Sequence, residues 1–292
     1  MNSQAVESVS TVPPAHALRP AYLMCPPTLY NVAYVINPWM RGNLHTSSRA
    51  QANAQWECLY DTLSTMADIE LINPRAGSPD MVFTANAGLE RAGTVVPSRF
   101  FHPERRAEEQ YFRRWFQEAD YKIVDLPERV FFEGEGDALF SADGSRLWAG
   151  YGPRTSYESH QYLARAWDIE VVSLHLIDPR FYHLDTCFAP LAGGYIMYYP
   201  GAFDTASIAR IEAAYPAEER IVVAEHDAVH FACNAIDVDR TIILNSASRE
   251  LTMSLEAIGF RPVAVSLTEF LKAGGAAKCL VMKIESSTKK QF

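Results

Sequence analysis

No stretch of this chain approaches the 18 or more consecutive apolar residues of a membrane-spanning helix. Its first residues carry no basic start followed by an apolar run, so no secretory signal is expected. A basic surplus is missing as well. Lys and Arg number 26 against 35 Asp and Glu, a net charge of −9. That balance leaves no electrostatic footprint for nucleic acid or an anionic membrane as partner. The five cysteines, Cys25, Cys58, Cys187, Cys233 and Cys279, are odd in number and form no C-x-x-C pair. A zinc centre or a disulfide framework is therefore not expected, and no metal is. Free thiols fit a reducing compartment, and the cytoplasm is the expected location. Gly134-Glu135-Gly136 is too short for a dinucleotide fingerprint and lacks its third glycine, so no cofactor is expected either.

What is present is globular. Of 292 residues 48% are hydrophobic and 21% charged, ordinary values for a packed domain. Residues 1–20 lack periodicity and read as a mobile leader; residues 21–292 read as a single domain. Residues 49–68 have helical spacing, with Trp56, Leu59, Leu63 and Met66 on one face, and a strand follows at 70–72. The alternation recurs. Helical segments at 104–119, 159–167, 207–214 and 254–258 are followed by strands at 121–126, 169–174, 220–223 and 262–265, and Gly259 is a good helix stop. Pairs of short strands lie between these units: residues 138–140 with 147–149 around Asp143-Gly144, and 186–191 with 195–199 around Gly193-Gly194. A unit of two strands, a helix and a strand thus returns five times at a spacing of roughly 50 residues. Five such units suggest a closed α/β ring with one central site.

Four clusters could carry chemistry. Gly274-Gly275-Ala276-Ala277-Lys278-Cys279 is a small-residue loop leading into a cysteine. Beside Lys278 the thiol could ionise and act as a nucleophile; a buried structural thiol fits the same residues. His183 and Asp185, two apart, would share one face of a strand. His183 could move protons near neutral pH, or the pair could be a hydrogen-bonded strand edge. Glu133, Glu135 and Asp137 fall within five positions with two glycines. Carboxylates accept the N–H forks of a planar guanidinium, while Gly and Asp also mark solvated turns. Asp80 and Asn86 flank an apolar segment read as a strand. The Asn86 amide can donate and accept, which suits a urea-like group; a turn before Gly88 is the plainer reading. Arg105 and Arg154 could each pair with a carboxylate or lie on the surface.

Taken together these runs resemble the guanidine-modifying (amidinotransferase-like) superfamily. The resemblance rests on Met24-Cys25-Pro26-Pro27, Ile36-Asn37-Pro38-Trp39-Met40, Val82-Phe83-Thr84-Ala85-Asn86-Ala87-Gly88, Phe132 to Asp137, His183-Leu184-Asp185 and Gly274 to Leu280. It covers roughly residues 21–285, in the family's order. It implies a five-bladed α/β propeller. It also implies roles: Cys279 as nucleophile, His183 as general acid and base, Glu133 and Asp185 on the guanidinium, and Asn37, Arg105 and Arg154 on the amino-acid end. Asp80 would line the same pocket. Many deiminases and dimethylargininases carry Asp where this chain has Asn86, and Phe-Thr-Ala-Asn there marks the arginine dihydrolase branch. Asn31 stands where that branch would have Asp. The activity implied is conversion of arginine to ornithine, ammonia and carbon dioxide. The alternatives are a deiminase, a dimethylargininase, an amidinotransferase or a non-catalytic arginine-binding protein. The expected partner is a small guanidine-bearing molecule, with self-association into a homo-oligomer left open.

Overall fold

The computed structural model describes residues 19–285. Residues 1–18 of the expected leader lie outside them. Arg19 is already anchored: its guanidinium donates to Ser64 O at 2.9 Å and Ala67 O at 3.2 Å.

Strand β1 (Ala21–Met24), helix α1 (Arg49–Ser64) and strand β2 (Asp68–Leu71) open the chain. Next come β3 (Gly88–Arg91), β4 (Thr94–Pro97), α2 (Arg106–Glu118) and β5 (Lys122–Ile123). The pattern repeats as β6 (Ala138–Phe140), β7 (Arg146–Tyr151), α3 (Ser159–Trp167) and β8 (Glu170–His175). It repeats again as β9 (Phe188–Leu191), β10 (Tyr195–Tyr198), α4 (Thr205–Ala214) and β11 (Arg220–Val222). A short helix α5 (Glu225–Ala228) precedes β12 (Ile236–Val238), β13 (Thr241–Leu244), α6 (Arg249–Ala257) and β14 (Arg261–Ala264). The short α7 (Thr268–Leu271) and β15 (Met282–Ile284) finish it.

These strands make five three-stranded sheets of one design. In each, the middle strand pairs antiparallel with the strand before it and parallel with the strand after its helix. A parallel pair needs a crossover, and the helix supplies it. In the first sheet β1 is the middle strand, and its antiparallel neighbour is β15, with Ala21 opposite Ile284. The two ends of the described chain therefore close the ring, and the fold is the five-bladed α/β propeller expected.

Helix starts follow the chemistry of their caps. The Ser48 hydroxyl accepts from Gln51 N at the head of α1, and Ser248 does the same for Leu251 N at α6. Gly259 sits at φ +86° just beyond α6, the conformation the stop signal required. The apolar faces fill the spaces between blades. Phe112 and Phe116, one turn apart on α2, pack with Leu23 of β1, Val95 of β4 and Met282 of β15. Trp148 of β7 stacks on Tyr215 beyond α4 at 5.5 Å. Met66, expected on the α1 face, lies past the helix end and is half-buried.

Two local readings need correction. Residues 79–87 and 183–186 are not strands. Pro79–Val82, Thr84–Ala87 and Leu184–Thr186 are single 3₁₀ turns, closed by bonds such as Phe83 N to Asp80 O and Thr186 N to His183 O. The argument that His183 and Asp185 share a strand face, or Asp80 and Asn86, therefore fails. The turns bring these residues together by another route.

Candidate active site

Each blade enters the ring axis through a tight turn just before its first strand. Glu133 and His183 stand five residues before β6 and β9. Asp185 and Cys279 stand three residues before β9 and β15, and Asn86 and Asn234 two before β3 and β12. Five turns thus deliver one chemical group or more each to a single place. The approach is close. Gly134 has φ +65°, and a Cβ there would meet Ala85 O at 2.6 Å. A Cβ at Gly136 would lie 2.3 Å from Asn86 Nδ2 and 3.3 Å from the His183 ring. The glycines of the Glu133-to-Asp137 run are there because the turns touch.

Cys279 is buried, 3% exposed, in the 3₁₀ turn Lys278–Leu280. Its Sγ lies 3.4 Å from Asp185 Oδ2 and 3.1 Å from Asn234 Nδ2. Burial, together with the Asp185 carboxylate, pushes this thiol well above its ordinary range. The Lys278 ammonium does not help it: that side chain turns to Glu135 Oε2 at 2.6 Å. His183 Nε2 is 2.7 Å from Glu133 Oε2, which also accepts from Arg154 NH1 at 3.0 Å. Burial alone would raise the Glu133 carboxyl; the Arg154 guanidinium and the His183 hydrogen bond outweigh it and hold it well below the usual carboxylate range. Asp185 goes the other way. Burial lifts it to about 7 against the pull of Lys278.

A small cavity lies among these groups, walled by Asn37, Asp80, Asn86, Arg154, His183 and Cys279 with several apolar neighbours. Only about 10 Å³ is open to a water-sized sphere, room for about one water molecule. Two buried carboxylate oxygens have no hydrogen-bond partner: Asp80 Oδ1, on the cavity wall, and Asp185 Oδ1, on the carboxylate that meets Cys279 Sγ. The other Asp80 oxygen accepts from the Tyr34 hydroxyl at 2.9 Å. Burial pushes the Asp80 carboxyl up, opposed by Arg105 and Tyr34. A larger cavity of about 590 Å³, lined by the Lys278–Glu135 pair among others, contains neither Cys279 nor His183.

Of the remaining expected residues, Asn37, Asn86, Arg105 and Arg154 line this cavity, but all are engaged. Arg105 donates twice to Glu108, at 3.0 and 2.8 Å, and once to Asn86 Oδ1 at 2.7 Å. Asn86 in turn donates to Glu133 O at 3.0 Å, so both ends of its amide are fixed. Arg154 donates to Glu133 and Ile36 O and lies 4.6 Å over the Tyr182 ring. The Asn37 side chain caps residues 39 and 40 and donates to Ala273 O. Asn31 stays at the surface beside His45. Of the acidic run, Glu135 faces away. Asp137 ties blades together by accepting from Leu184 N and the Thr155 hydroxyl, and burial raises it to about 6. Sequence reasoning missed Asn234. A signal for it existed: Phe231-Ala232-Cys233-Asn234-Ala235 echoes Phe83-Thr84-Ala85-Asn86-Ala87 at the same place in another blade. Among the described residues no cluster of His, Cys, Asp and Glu suits a metal ion, and no helix is long and apolar enough to cross a membrane.

Comparison with known proteins bears on the chemistry. The profile of the eukaryotic N,N dimethylarginine dimethylhydrolase family matches residues 35–286. The chain is 56% identical over 263 residues, 90% of its length, to the bifunctional arginine dihydrolase/ornithine cyclodeaminase AgrE of Nostoc sp.. It spans only 37% of that protein, and the same share of the related ArgZ of Synechocystis sp.. It is 41% identical over 264 residues to the N(G),N(G)-dimethylarginine dimethylaminohydrolase of Mycobacterium tuberculosis, 90% of this chain and 85% of that one. The N-terminal domain of ArgZ, solved as a cysteine-to-serine variant bound to substrate, superimposes with a TM-score of 0.90 at 55% identity, over 90% of this chain and 97% of the other.

Proposed function

The chain belongs to the N,N dimethylarginine dimethylhydrolase family, within the guanidine-modifying superfamily, and from that premise we propose that it is a cysteine hydrolase of free arginine that carries out two rounds of hydrolysis. The observation that carries this reading is the pair of unpartnered buried oxygens on Asp80 and Asp185, beside a buried cysteine. Buried carboxylate oxygens are normally satisfied. A ligand bearing two separated cationic donor groups, an amino-acid ammonium and a guanidinium, would satisfy both.

The proposed sequence starts with a thiol that is protonated in the empty site. A guanidinium bound against Asp185 and Glu133 adds positive charge beside Sγ, which favours the thiolate. The thiolate adds to the guanidine carbon. His183, held by Glu133, gives a proton to the departing nitrogen, and ammonia leaves. Water, deprotonated by His183, then displaces sulfur and releases a ureido group. Proton transfer by a positioned group of this kind contributes about 10²–10⁴-fold. Repeating the cycle on the ureido carbon expels a second ammonia; a second water frees a carbamate that falls apart to ornithine and carbon dioxide. In sum, arginine and two waters give ornithine, two ammonia and one carbon dioxide. Asn86 supports the second round, because a neutral amide can hydrogen-bond a ureido group without requiring a positive charge. Its fixed orientation between Glu133 O and Arg105 keeps it ready to do so. Arg154 and Asn37 complete the wall on the amino-acid side. The 21–292 segment acts here as a single guanidine-hydrolase domain, working in the cytoplasm.

Product analysis tests this. Purified protein with arginine is expected to yield ornithine and about two ammonia per arginine, by the two-round scheme, and Cys279→Ser to yield neither. Stoichiometric citrulline would leave a deiminase and remove the second round. The relative from M. tuberculosis favours a second reading, hydrolysis of dimethylarginine. Dimethylamine release from that substrate, exceeding ammonia release from arginine, would establish it instead.

A further inference from the structure

We propose that Asn234 is a catalytic residue that holds the Cys279 thiolate through its side-chain N–H, while its carbonyl sets the turn that carries the nucleophile. The proposal rests on the reading of Cys279 as the nucleophile.

Asn234 is fully buried, 0% exposed, in the turn before β12. Its Oδ1 accepts from Ala276 N at 3.2 Å and Cys279 N at 3.1 Å. Its Nδ2 donates to Asp185 O and to Cys279 Sγ, both at 3.1 Å. Its own carbonyl accepts from Lys278 N at 3.3 Å. Two backbone N–H groups can be received only by the amide oxygen, so the amide can face one way only. All four hydrogen-bonding positions of the side chain are filled. A residue needed only to hold the turn would require the oxygen alone. The nitrogen placed against sulfur is the informative half.

The other charges around Sγ make that N–H matter. Asp185, on the turn before β9, repels a thiolate from 3.4 Å. Lys278, on the nucleophile's own turn, is paired with Glu135. His183 and Arg154, facing the cavity from two other blades, are both committed to Glu133. Arg105 is committed to Glu108. Asp80 and Tyr182 also line the cavity and contribute no cation. Burial and Asp185 push the thiol up, and the Ala276 backbone N–H and the Asn234 amide pull the other way. In the empty site this amide is the side-chain hydrogen-bond donor to the sulfur, beside the backbone N–H of Ala276. A donor to an ionised acceptor makes a short, strengthened bond. The echo of Asn86 in another blade gives the division of labour: one turn asparagine faces the substrate space, the other the nucleophile.

The test needs no substrate. Alkylation of Cys279 by iodoacetamide is followed against pH, with peptide mapping to separate it from the exposed Cys58. Asn234→Ser withdraws the amide N–H from sulfur, leaving only a shorter hydroxyl, without adding charge. It is expected to slow Cys279 alkylation about ten- to hundredfold at pH 8 and to move its pH midpoint up by about one to two units. Asn234→Asp, which keeps an oxygen to accept from the two backbone N–H groups but puts a charge beside sulfur, is expected to move it further. In the unmutated protein, the side-chain amide resonance of Asn234, assigned through its own backbone by triple-resonance NMR, is expected to titrate with that midpoint. This holds the question open to measurement even if the variants fold poorly. An unmoved midpoint in folded Asn234→Ser, or a flat amide resonance through the midpoint, overturns the proposal. An Asn234-dependent midpoint in a protein that releases nothing from arginine would support it, and only the arginine reading would fall.

Discussion

Asp185 is where stability and chemistry pull apart, and Asp185→Asn measures by how much. The carboxyl is buried, one of its oxygens has no partner, and its pKa is raised from 3.8 to about 7. Below pH 3.8 the group is protonated whether the chain is folded or not. Between 3.8 and 7 the unfolded chain releases the proton and the folded protein keeps it, so the stability present at low pH is lost as pH rises through that window. Above 7 the loss stays constant. The slope is about 1.36 kcal/mol per pH unit for one proton. Between pH 5 and pH 8 the native protein should therefore lose about 2.6 kcal/mol on account of this group. Asparagine has nothing to titrate. Its hydrogen bonds and packing change stability by a constant, and Asp137, raised to about 6, is common to both proteins. Urea unfolding of parent and Asp185→Asn at pH 5 and pH 8 isolates the term. The variant is expected to gain about 2–3 kcal/mol relative to the parent between the two, while turnover is lost. A stability difference that is the same at both pH values would refute the assignment of Asp185 as a buried carboxyl held at an energetic cost for ligand binding.

Two further substitutions probe how the site is held. Arg105→Leu leaves Glu108 fully buried and unpaired and frees one end of the Asn86 amide. It is expected to destabilise the protein by about 3–5 kcal/mol, as for one partner removed from a buried pair, read by denaturant unfolding. Gly136→Ala places a methyl group within 2.3 Å of Asn86 Nδ2 and 3.3 Å of the His183 ring. Steady-state assays should show kcat falling by more than tenfold, about the scale of a misplaced reacting group. If activity holds while the protein stays folded, the close approach of the two turns is not what orients Asn86.

Much of the fold was legible because it is local. Helix α3 begins and ends where its sequence pattern does, and the Asp143-Gly144 hairpin pairs Leu139 with Trp148 as the strand pattern suggested. The five-fold recurrence of strand, strand, helix and strand needed only short-range periodicity. Two kinds of feature did not yield. A 3₁₀ turn of three or four residues has one or two defining bonds, and its spacing cannot be told from a strand's over so short a span. That is why the segments around Asp80 and His183 read as strands. The same geometry sets successive side chains about 120° apart, so Glu133 and Glu135 part company although only a glycine separates them. The other kind is non-local. Cys279, His183 and Glu133 could be gathered by a resemblance that named them. Asn234 was in none of the motifs that carry the resemblance; its partners lie 45 and 49 positions away along the chain, and only the echo of 83–87 in 231–235 pointed to it.

The pairing of β1 with β15 joins residues from opposite ends of the described chain, and Cys279 lies three positions before the strand that makes it. Of all the strand pairings this one closes the longest loop, and contacts of that separation are the slowest to form. The proposed nucleophile therefore takes its place when the ring shuts. A chain with four blades folded and the seam open would already hold His183 against Glu133, with the thiol detached from both. Catalytic competence would appear in a single step at the end of folding, and forcing the seam apart would extinguish it before any other blade had opened.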